Sequence, residues 1–476
     1  MALNLFNTLT RSVQAFAPAA GTRKIGLYCC GPTVHDFAHI GNWRTFVFAD
    51  LLRRTLEFSG GHVQHVMNIT DVEDKIIKRV QENNVSLREF TGKFEAAFFE
   101  DLKTLNCLPP HLTPRATEHI PEIIALIEKL VTRGVAYRAG DGSVYFSIEK
   151  YRGGGCIYGQ LQKLNSDELR AGERVAADEY DKESVADFAL WKARVPADGQ
   201  VFWPSPWGEG RPGWHIECSA MSMKALGETF DLHLGGEDLK FPHHEDEIAQ
   251  SEGATGKPFV KHWLHGAHLL VEGKKMSKSL KNYFTLRDLL AKGFTGREVR
   301  FLLLGAHYRE TFNFTLEGLQ GAKTALARID ECVGKLREIA AASPGDTLKR
   351  ELQPADGTAR LLADFSAALA DDLNISAAWA AVFEWVSEIN KRMAESALSA
   401  AAAASALAAW ENVDTVLGIG QKSAAEIPAE LQALLEARQA ARQARDFKQS
   451  DAIRDKLKAQ GWVIEDTPKG PKLKKT

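Results

Sequence analysis

The sequence predicts an α/β fold: a parallel sheet built from two separated parts of the chain, followed by helices. Three observations carry this. Lys24 to Cys30 reads as a strand, a helix follows near Trp43 with Phe46, Val47, Leu51 and Leu52 as its apolar residues, and His62 to Ile69 reads as a second strand. Strand, helix and strand at crossover spacing make the unit of a parallel sheet. Residues around 116–190 then read as an insertion of helices and short strands, closed by the Pro-, Gly- and Trp-rich loop from Phe202 to Trp214. The pattern resumes at Trp214, with Phe230 to Leu234 as a strand before Gly235-Gly236. From Thr315 onward, Leu369, Leu373, Trp379, Phe383 and Val386 fall at helical spacings, as do Leu431, Leu434 and Leu435. The Ala-rich run from Ser396 to Trp410 reads as exposed helix, too short and too interrupted to span a bilayer. Ile419 to Pro428 reads as a linker.

The chain has 476 residues, which at ~150 per domain suggests about three domains and no need for covalent staples. A net charge of −3 excludes a uniformly basic nucleic-acid coat. That charge is lopsided, because residues 431–476 hold 11 Lys/Arg against 6 Asp/Glu, net +5, which leaves −8 on the rest. Six cysteines argue against a disulfide-built secreted protein, so a cysteine in a motif is read first as metal-binding or reactive. The start, Met1 to Asn7, lacks the basic and apolar regions of a signal peptide, and the expected location is cytoplasmic.

Two glycine-rich segments fail as phosphate loops. Gly153 to Gly159 places Tyr158 where the last glycine of G-x-G-x-x-G belongs, and Gly253 to Pro258 offers no hydroxyl after its lysine. His39-Ile40-Gly41-Asn42 is different. It follows the first strand at the entrance to a helix, where free backbone N–H groups and the helix dipole attract phosphate. Gly41 lets a ligand approach the backbone, and His39 and Asn42 add side-chain donors. Lys275-Met276-Ser277-Lys278-Ser279, in a polar loop after Leu269-Leu270-Val271, offers two cations and two hydroxyls to a developing polyphosphate charge. Either segment alone is compatible with an ordinary loop. The pair is far more specific.

Together these segments resemble the HIGH and KMSKS motifs of the class I aminoacyl-tRNA synthetases, and more narrowly the chain resembles the cysteinyl-tRNA synthetases. Phe6-Asn7-Thr8-Leu9, Tyr28 to Val34, Asn68-Ile69-Thr70-Asp71 with Asp74-Lys75, Phe241 to Gln250 and Glu465 to Pro468 carry the likeness, and Trp203 to Met221 carries it most specifically. The resemblance implies a Rossmann-like catalytic domain (1–115 and 196–265) with a connective insertion (116–195). A KMSKS-bearing region (266–314), a helical anticodon-binding bundle (315–420) and a small basic C-terminal domain (421–476) would follow. It departs from the family at Asn42, which replaces the second histidine of HIGH and cannot be cationic. Leu234 and Glu237 interrupt a usually more Gly-rich stretch, and Lys281 stands where a glycine is usual.

The resemblance assigns Cys30, Cys218, His243 and Glu247 together as ligands of one Zn²⁺ per chain, with Cys29 the nearest competitor to Cys30. The residues agree: Pro242 opens a helix, His243 and Glu247 share a face at i and i+4, and a Cys/Cys/His/Glu set suits tetrahedral zinc. Separately, Glu247 could be a helix-dipole acid and Cys218 a small core residue. Cys107, Cys156 and Cys332 have no such pattern. By resemblance Gly31, Thr70, Trp214 and Asp238 would line the cysteine pocket. His39, Gly41, Asn42, Lys275 and Lys278 would serve ATP, with Mg²⁺ accompanying the nucleotide.

Arg438, Arg442 and Arg445 at i, i+4 and i+7 suggest a basic face for tRNA, with Trp462 or Phe447 to stack on a base. A solvated face with Trp462 in a small core fits the spacing equally well. The expected function is therefore a monomeric cysteine–tRNA ligase using ATP, L-cysteine and tRNA(Cys), without membrane association. The alternatives are an ATP-dependent cysteine ligase acting on an amino sugar, and a non-catalytic zinc- and RNA-binding paralogue.

Overall fold

Four strands make the central sheet, and they come from opposite sides of a long insertion. The computed structural model describes residues 2–17, 24–162, 187–277, 279–280, 282–341, 356–421, 429–444, 446–460, 462–467 and 470–475. An N-terminal hairpin, β1 (Leu3–Asn7) and β2 (Ser12–Phe16), precedes β3 (Lys24–Cys29), α1 (Ile40–Phe58) and β4 (His62–Met67). Helices α2 (Asp74–Asn83) and α3 (Leu87–Thr104) lead into the insertion. There α4 (Ile120–Thr132), β5 (Ala136–Arg138), β6 (Val144–Phe146), α5 (Ile148–Gly153), β7 (Phe188–Ala193) and β8 (Gly210–Pro212) include an antiparallel sheet in sequence order. The chain returns through α6 (Trp214–Leu226), β9 (Phe230–Gly236), α7 (Glu245–Thr255) and β10 (Val260–Gly266).

The sheet runs β10-β9-β3-β4 with every pair parallel. Strand order therefore reverses between β3 and β9. In open parallel sheets that reversal leaves a crevice beyond the carboxyl ends of the strands, where ligands bind. Cys30, Gly31 and Gly236 all lie there.

Beyond the sheet come β11 (Leu269–Val271), β12 (Lys274–Lys275), α8 (Leu286–Ala291), α9 (Gly296–Leu303) and β13 (Phe312–Phe314). Then follow α10 (Leu316–Ala341), α11 (Asp356–Ala370), α12 (Ile375–Ala394) and α13 (Ala400–Leu417). These helices share one apolar core with α1 and belong to the same compact unit, Met1–Ile419.

One expectation is corrected here. The Ala-rich helix α13 is not merely exposed: Ala403, Ala406, Ala409 and Trp410 are buried, and Trp410 stacks on Trp385 at 6.0 Å. The three alanines recur every third residue, so one stripe of small side chains lets neighbouring helices approach closely.

The second unit, Gly420–Thr476, contains α14 (Ala429–Gln443), α15 (Phe447–Ala459) and an antiparallel hairpin of β14 (Trp462–Thr467) and β15 (Gly470–Lys475). Its core gathers Leu431, Leu435, Leu457, Trp462 and Leu473. Most of the expected linker, residues 422–428, lies outside the described residues.

Candidate functional site

The two lysine- and histidine-bearing segments meet at the start of α1. His39 caps that helix: its Nδ1 accepts from Asn42 N at 3.1 Å, and Asn42 Oδ1 accepts from His39 N at 3.1 Å. This reciprocal cap contributes on the order of 1 kcal/mol. The chain just after the lysine-rich segment then lies along the same spot. Ile40 N donates to Phe284 O at 2.9 Å, His39 bridges Thr285, and the His39 ring meets Tyr283 edge-on at 5.3 Å. A Cβ on Gly41 would sit 3.1 Å from the His39 ring and 3.3 Å from Met276 Cε, so a side chain there would press on the cap and on the facing motif. Asn282, missed in the sequence, staples the loop: it accepts from Ser277 N at 2.8 Å and donates to Val271 O and Lys275 O, each at 3.2 Å. Lys275 is exposed, whereas Lys278 and Lys281 lie outside the described residues.

Behind this, Cys30, Cys218, His243 and Glu247 are all buried, each with a ligand atom within 4.8 Å of the others. Cys30 leaves β3, Cys218 sits on α6, and Glu247 sits in the first turn of α7. His243 differs slightly from expectation. Extended Phe241 (φ −142°, ψ 131°) interrupts the helical path, and His243 lies in the short turn Lys240–His244 before α7. The i, i+4 approach survives, with His243 Nε2 3.0 Å from Glu247 Oε1 and 3.5 Å from Cys30 Sγ. Cys29 is also buried, but it belongs to neither candidate ligand set.

A second set overlaps the first: Cys30 and Glu247 with His233 and His244. His233 Nε2 lies 3.0 Å from Glu247 Oε2, and its ring stacks on Trp263 at 4.4 Å. His244 Nε2 lies 3.3 Å from Cys30 Sγ, its Nδ1 2.8 Å from His265 Nε2, and His265 Nδ1 2.8 Å from Thr8 Oγ1. A Cβ on Gly235 would strike the His244 ring at 2.6 Å, which fixes glycine there. These histidines were not singled out in the sequence. Their signal was the His243-His244 pair together with His233 and His265 on adjacent strands.

The electrostatics favour a cation. A hydrogen bond from Cys30, opposed by burial, lowers the Cys218 thiol to about 6. Burial pushes Glu247 up, but the imidazoles of His233 and His243 outweigh it and hold the carboxyl at about 2. Burial draws His243 down, yet Cys218 and Glu247 raise it to about 10. Burial, together with the hydrogen bond to Cys218, holds the Cys30 thiol well above its ordinary value, so in the dry pocket Cys218 and Glu247 are the anionic donors.

The expected pocket residues surround the cluster unevenly. Gly31 N donates to Asn68 Oδ1 at 2.8 Å and Asn68 Nδ2 donates to Thr70 Oγ1 at 3.1 Å, locking the exits of β3 and β4 together. A Cβ on Gly31 would overlap Asn68 O at 1.7 Å. Trp214, half exposed, lies over the His243 ring at 4.7 Å. Asp238 is exposed in the one-turn helix Glu237–Leu239 that ends β9.

The basic stripe near the C-terminus is corrected at its first member. Arg438 is only 8% exposed because it continues the Leu431–Leu435 face that packs the small core. Arg442 is exposed and Arg445 lies outside the described residues. Trp462 is likewise in the core, while Phe447 is 63% exposed.

Comparison with known proteins agrees along the whole chain. Residues 16–324 match the family of class I (C) tRNA synthetase catalytic domains, 364–421 the DALR domain, and 424–471 the cysteinyl-tRNA ligase anticodon-binding domain. The chain is 48% identical to the cysteine–tRNA ligase of Chlamydia felis over 99% of its length and 98% of that protein's. It is 47% identical to that of Chlamydia muridarum over the full length of both. In fold it is similar to methionyl-tRNA synthetase of Mycobacterium tuberculosis in complex with methionyl-adenylate (TM-score 0.60, 16% identity, 87% of this chain and 94% of that one).

Proposed function

This chain belongs to the cysteine–tRNA ligases of the class I tRNA synthetases, and on that premise we propose which of its residues perform each step. The convergence of Cys30, Cys218, His243 and Glu247 beside Gly31, Thr70 and Trp214 carries the proposal. Two thiols, an imidazole and a carboxylate, buried and anion-rich, suit a borderline-soft divalent ion, and we assign them one zinc ion. When bound, zinc supplies a site that takes the substrate's thiolate far better than the neutral hydroxyl of serine. A purely apolar pocket separates two such isosteres poorly.

The remaining residues hold and orient. Asp238 receives the substrate ammonium through a charge-assisted hydrogen bond. Trp214 covers one side of the pocket, and Thr70 lines it with Gly31. The α1 N-terminus, with His39, Gly41 and Asn42, cradles the ATP phosphates, Mg²⁺ accompanying them. A carboxylate oxygen of cysteine attacks the α-phosphorus and the bond to pyrophosphate breaks. Lys275 and Lys278 meet the charge that develops on the departing group. The terminal ribose hydroxyl of tRNA then attacks the acyl carbon, forming the cysteinyl ester and releasing AMP. Little covalent chemistry is asked of the protein, since positioning and charge stabilisation dominate such transfers.

Beyond residue 420, exposed Arg442 and Phe447 are assigned to tRNA contact, with Arg445 beside them in sequence. No described helix is long and apolar enough to cross a membrane. We take the working form to be a cytoplasmic monomer.

Cysteine-dependent ATP–pyrophosphate exchange, measured against serine on metal-loaded protein, tests the selection. Strong preference for cysteine, lost in Cys218→Ser together with the bound metal, is expected. Equal activation of both amino acids would overturn the assignment. Unchanged exchange in Lys278→Ala would remove that lysine from the step.

A further inference from the structure

The helix that presents His39 and Asn42 also reaches, from its middle, to the far end of the first unit. Asp50 and Arg54 lie on α1, both buried, and Asp50 Oδ2 accepts from Arg54 Nε at 2.7 Å. Arg300 on α9, fully buried, places Nη2 2.6 Å from the same oxygen. Each arginine then gives one donor to the last turn of α13 and another to the loop after α3, where Arg54 Nη2 donates to Asn106 O at 2.7 Å and Arg300 Nη1 to Leu105 O at 3.2 Å. Arg54 Nη1 donates to Thr415 O at 2.7 Å and Arg300 Nε to Leu417 O at 2.6 Å. Asn106, in the left-handed conformation (φ 53°), donates through Nδ2 to Gly418 O at 2.7 Å. Arg297 donates to Ile419 O.

The final carbonyls of a helix need partners, and water ordinarily serves. Here the partners are buried side chains from α1, α9 and the loop after α3, organised on one carboxylate. Buried ion pairs of this kind are weak contributors to net stability, and their best-attested use is to fix register. What they fix here is the end of α13. The second unit departs at Gly420, immediately beyond it in the chain.

We infer that the Asp50–Arg54–Arg300 cluster, with Asn106, is a positioning device that couples the root of the C-terminal unit to the helix carrying His39 and Asn42. In this view, tRNA engaged beyond residue 420 biases α1 through the carbonyls of 415–418 during acyl transfer. The inference rests on the proposed role of α1 in holding the phosphates and of the C-terminal unit in holding tRNA. None of the four residues touches a substrate.

Two acceptors separate coupling from support: whole tRNA(Cys), and a minihelix of its acceptor arm alone, which cannot engage an anticodon-binding unit. Full-length Asp50→Asn and Asn106→Gly are compared with the parent. The glycine keeps the left-handed backbone and removes only the bond to Gly418, so it carries the test if Asp50→Asn does not fold. Expected is tRNA-independent pyrophosphate exchange within about twofold of the parent and transfer to the minihelix equally little changed. Transfer to whole tRNA should fall about tenfold, within the range that site-to-site coupling spans. Equal loss with both acceptors, a parallel loss of exchange, or undiminished transfer to whole tRNA would each overturn the coupling. The underlying reading fails separately, through unchanged exchange in His39→Ala, whatever the acceptor preference.

Discussion

His215 Nδ1 lies 2.8 Å from His243 Nδ1, while His215 Nε2 faces Asp246 Oδ2 at 3.4 Å. If His243 turns Nε2 to a metal, its Nδ1 carries the proton and donates to His215, whose own proton then sits on Nε2 toward Asp246. A ligand imidazole is commonly held by such an outer partner, and losing it weakens metal binding about 10- to 100-fold. His215→Ala should therefore release zinc to a competing chelator more readily by that factor, with its melting temperature little changed. Unaltered zinc affinity would dismiss the role.

Asn42 has two duties that one substitution separates. Its Oδ1 completes the α1 cap by accepting from His39 N, and its side-chain amide is the donor proposed for the phosphates. Asn42→Asp keeps an acceptor at that position and so keeps the cap, which is worth on the order of 1 kcal/mol. It also places negative charge beside ATP. Thermal stability should stay within about 2 °C, by the scaling of small stability changes in large domains, while pyrophosphate exchange falls at least about tenfold, the rate equivalent of ~1.4 kcal/mol. A fall in both together would mean that the cap alone matters.

Trp462 and Phe447 should behave oppositely. Trp462 is buried among Leu431, Leu435, Leu457 and Leu473, so Trp462→Ala removes about 3–5 kcal/mol, a large fraction of what a small domain has. Circular dichroism and proteolysis should show the C-terminal unit unfolded, with tRNA charging lost and pyrophosphate exchange retained. Phe447→Ala should leave the unit folded and raise the KM for tRNA by the value of one stacked base, about 1–3 kcal/mol. An unchanged KM would return Phe447 to an incidental surface residue.

His65 gives a pH signature of the fold. It is 2% exposed, and burial, aided by the positive charge of Arg53, lowers its imidazole to about 3. An unfolded chain takes up the proton near the usual value of ~6.5. Between those values the unfolded state binds more protons, so stability rises with pH up to ~6.5 and falls on acidification by about 1.4 kcal/mol per pH unit. His65→Asn should be less stable at pH 7.5 yet lose less of its melting temperature on going to pH 5. Parallel pH profiles would show that His65 is not the group responsible.

Much of this was legible in the residues, and the failures have physical causes. Strand β3 and helix α1 were legible because periodicity is a local signal, whereas Cys30, Cys218, His243 and Glu247 were gathered by resemblance to the family, with only the i, i+4 pair His243 and Glu247 readable locally. The histidines behind them were not legible, since His233, His244 and His265 meet only through the pairing of β9 with β10. Arg438 was misread as surface because charge outranked its place on the Leu431–Leu435 stripe. The alanines of α13 were misread because small side chains carry little hydropathy, though they pack as closely as leucines.

The insertion between β4 and β9 has a consequence for how the chain is made. Cys30 and Glu247 are 217 residues apart, and they meet across the reversal of strand order. A nascent chain halted in the insertion has Cys30 alone of the proposed ligand set, and one thiolate does not chelate. The full donor set exists only after α7 has emerged and β9 has docked beside β3. Metal capture at the proposed site would therefore be a late event in biosynthesis, and a bound ion would certify that the two halves of the split domain have found each other.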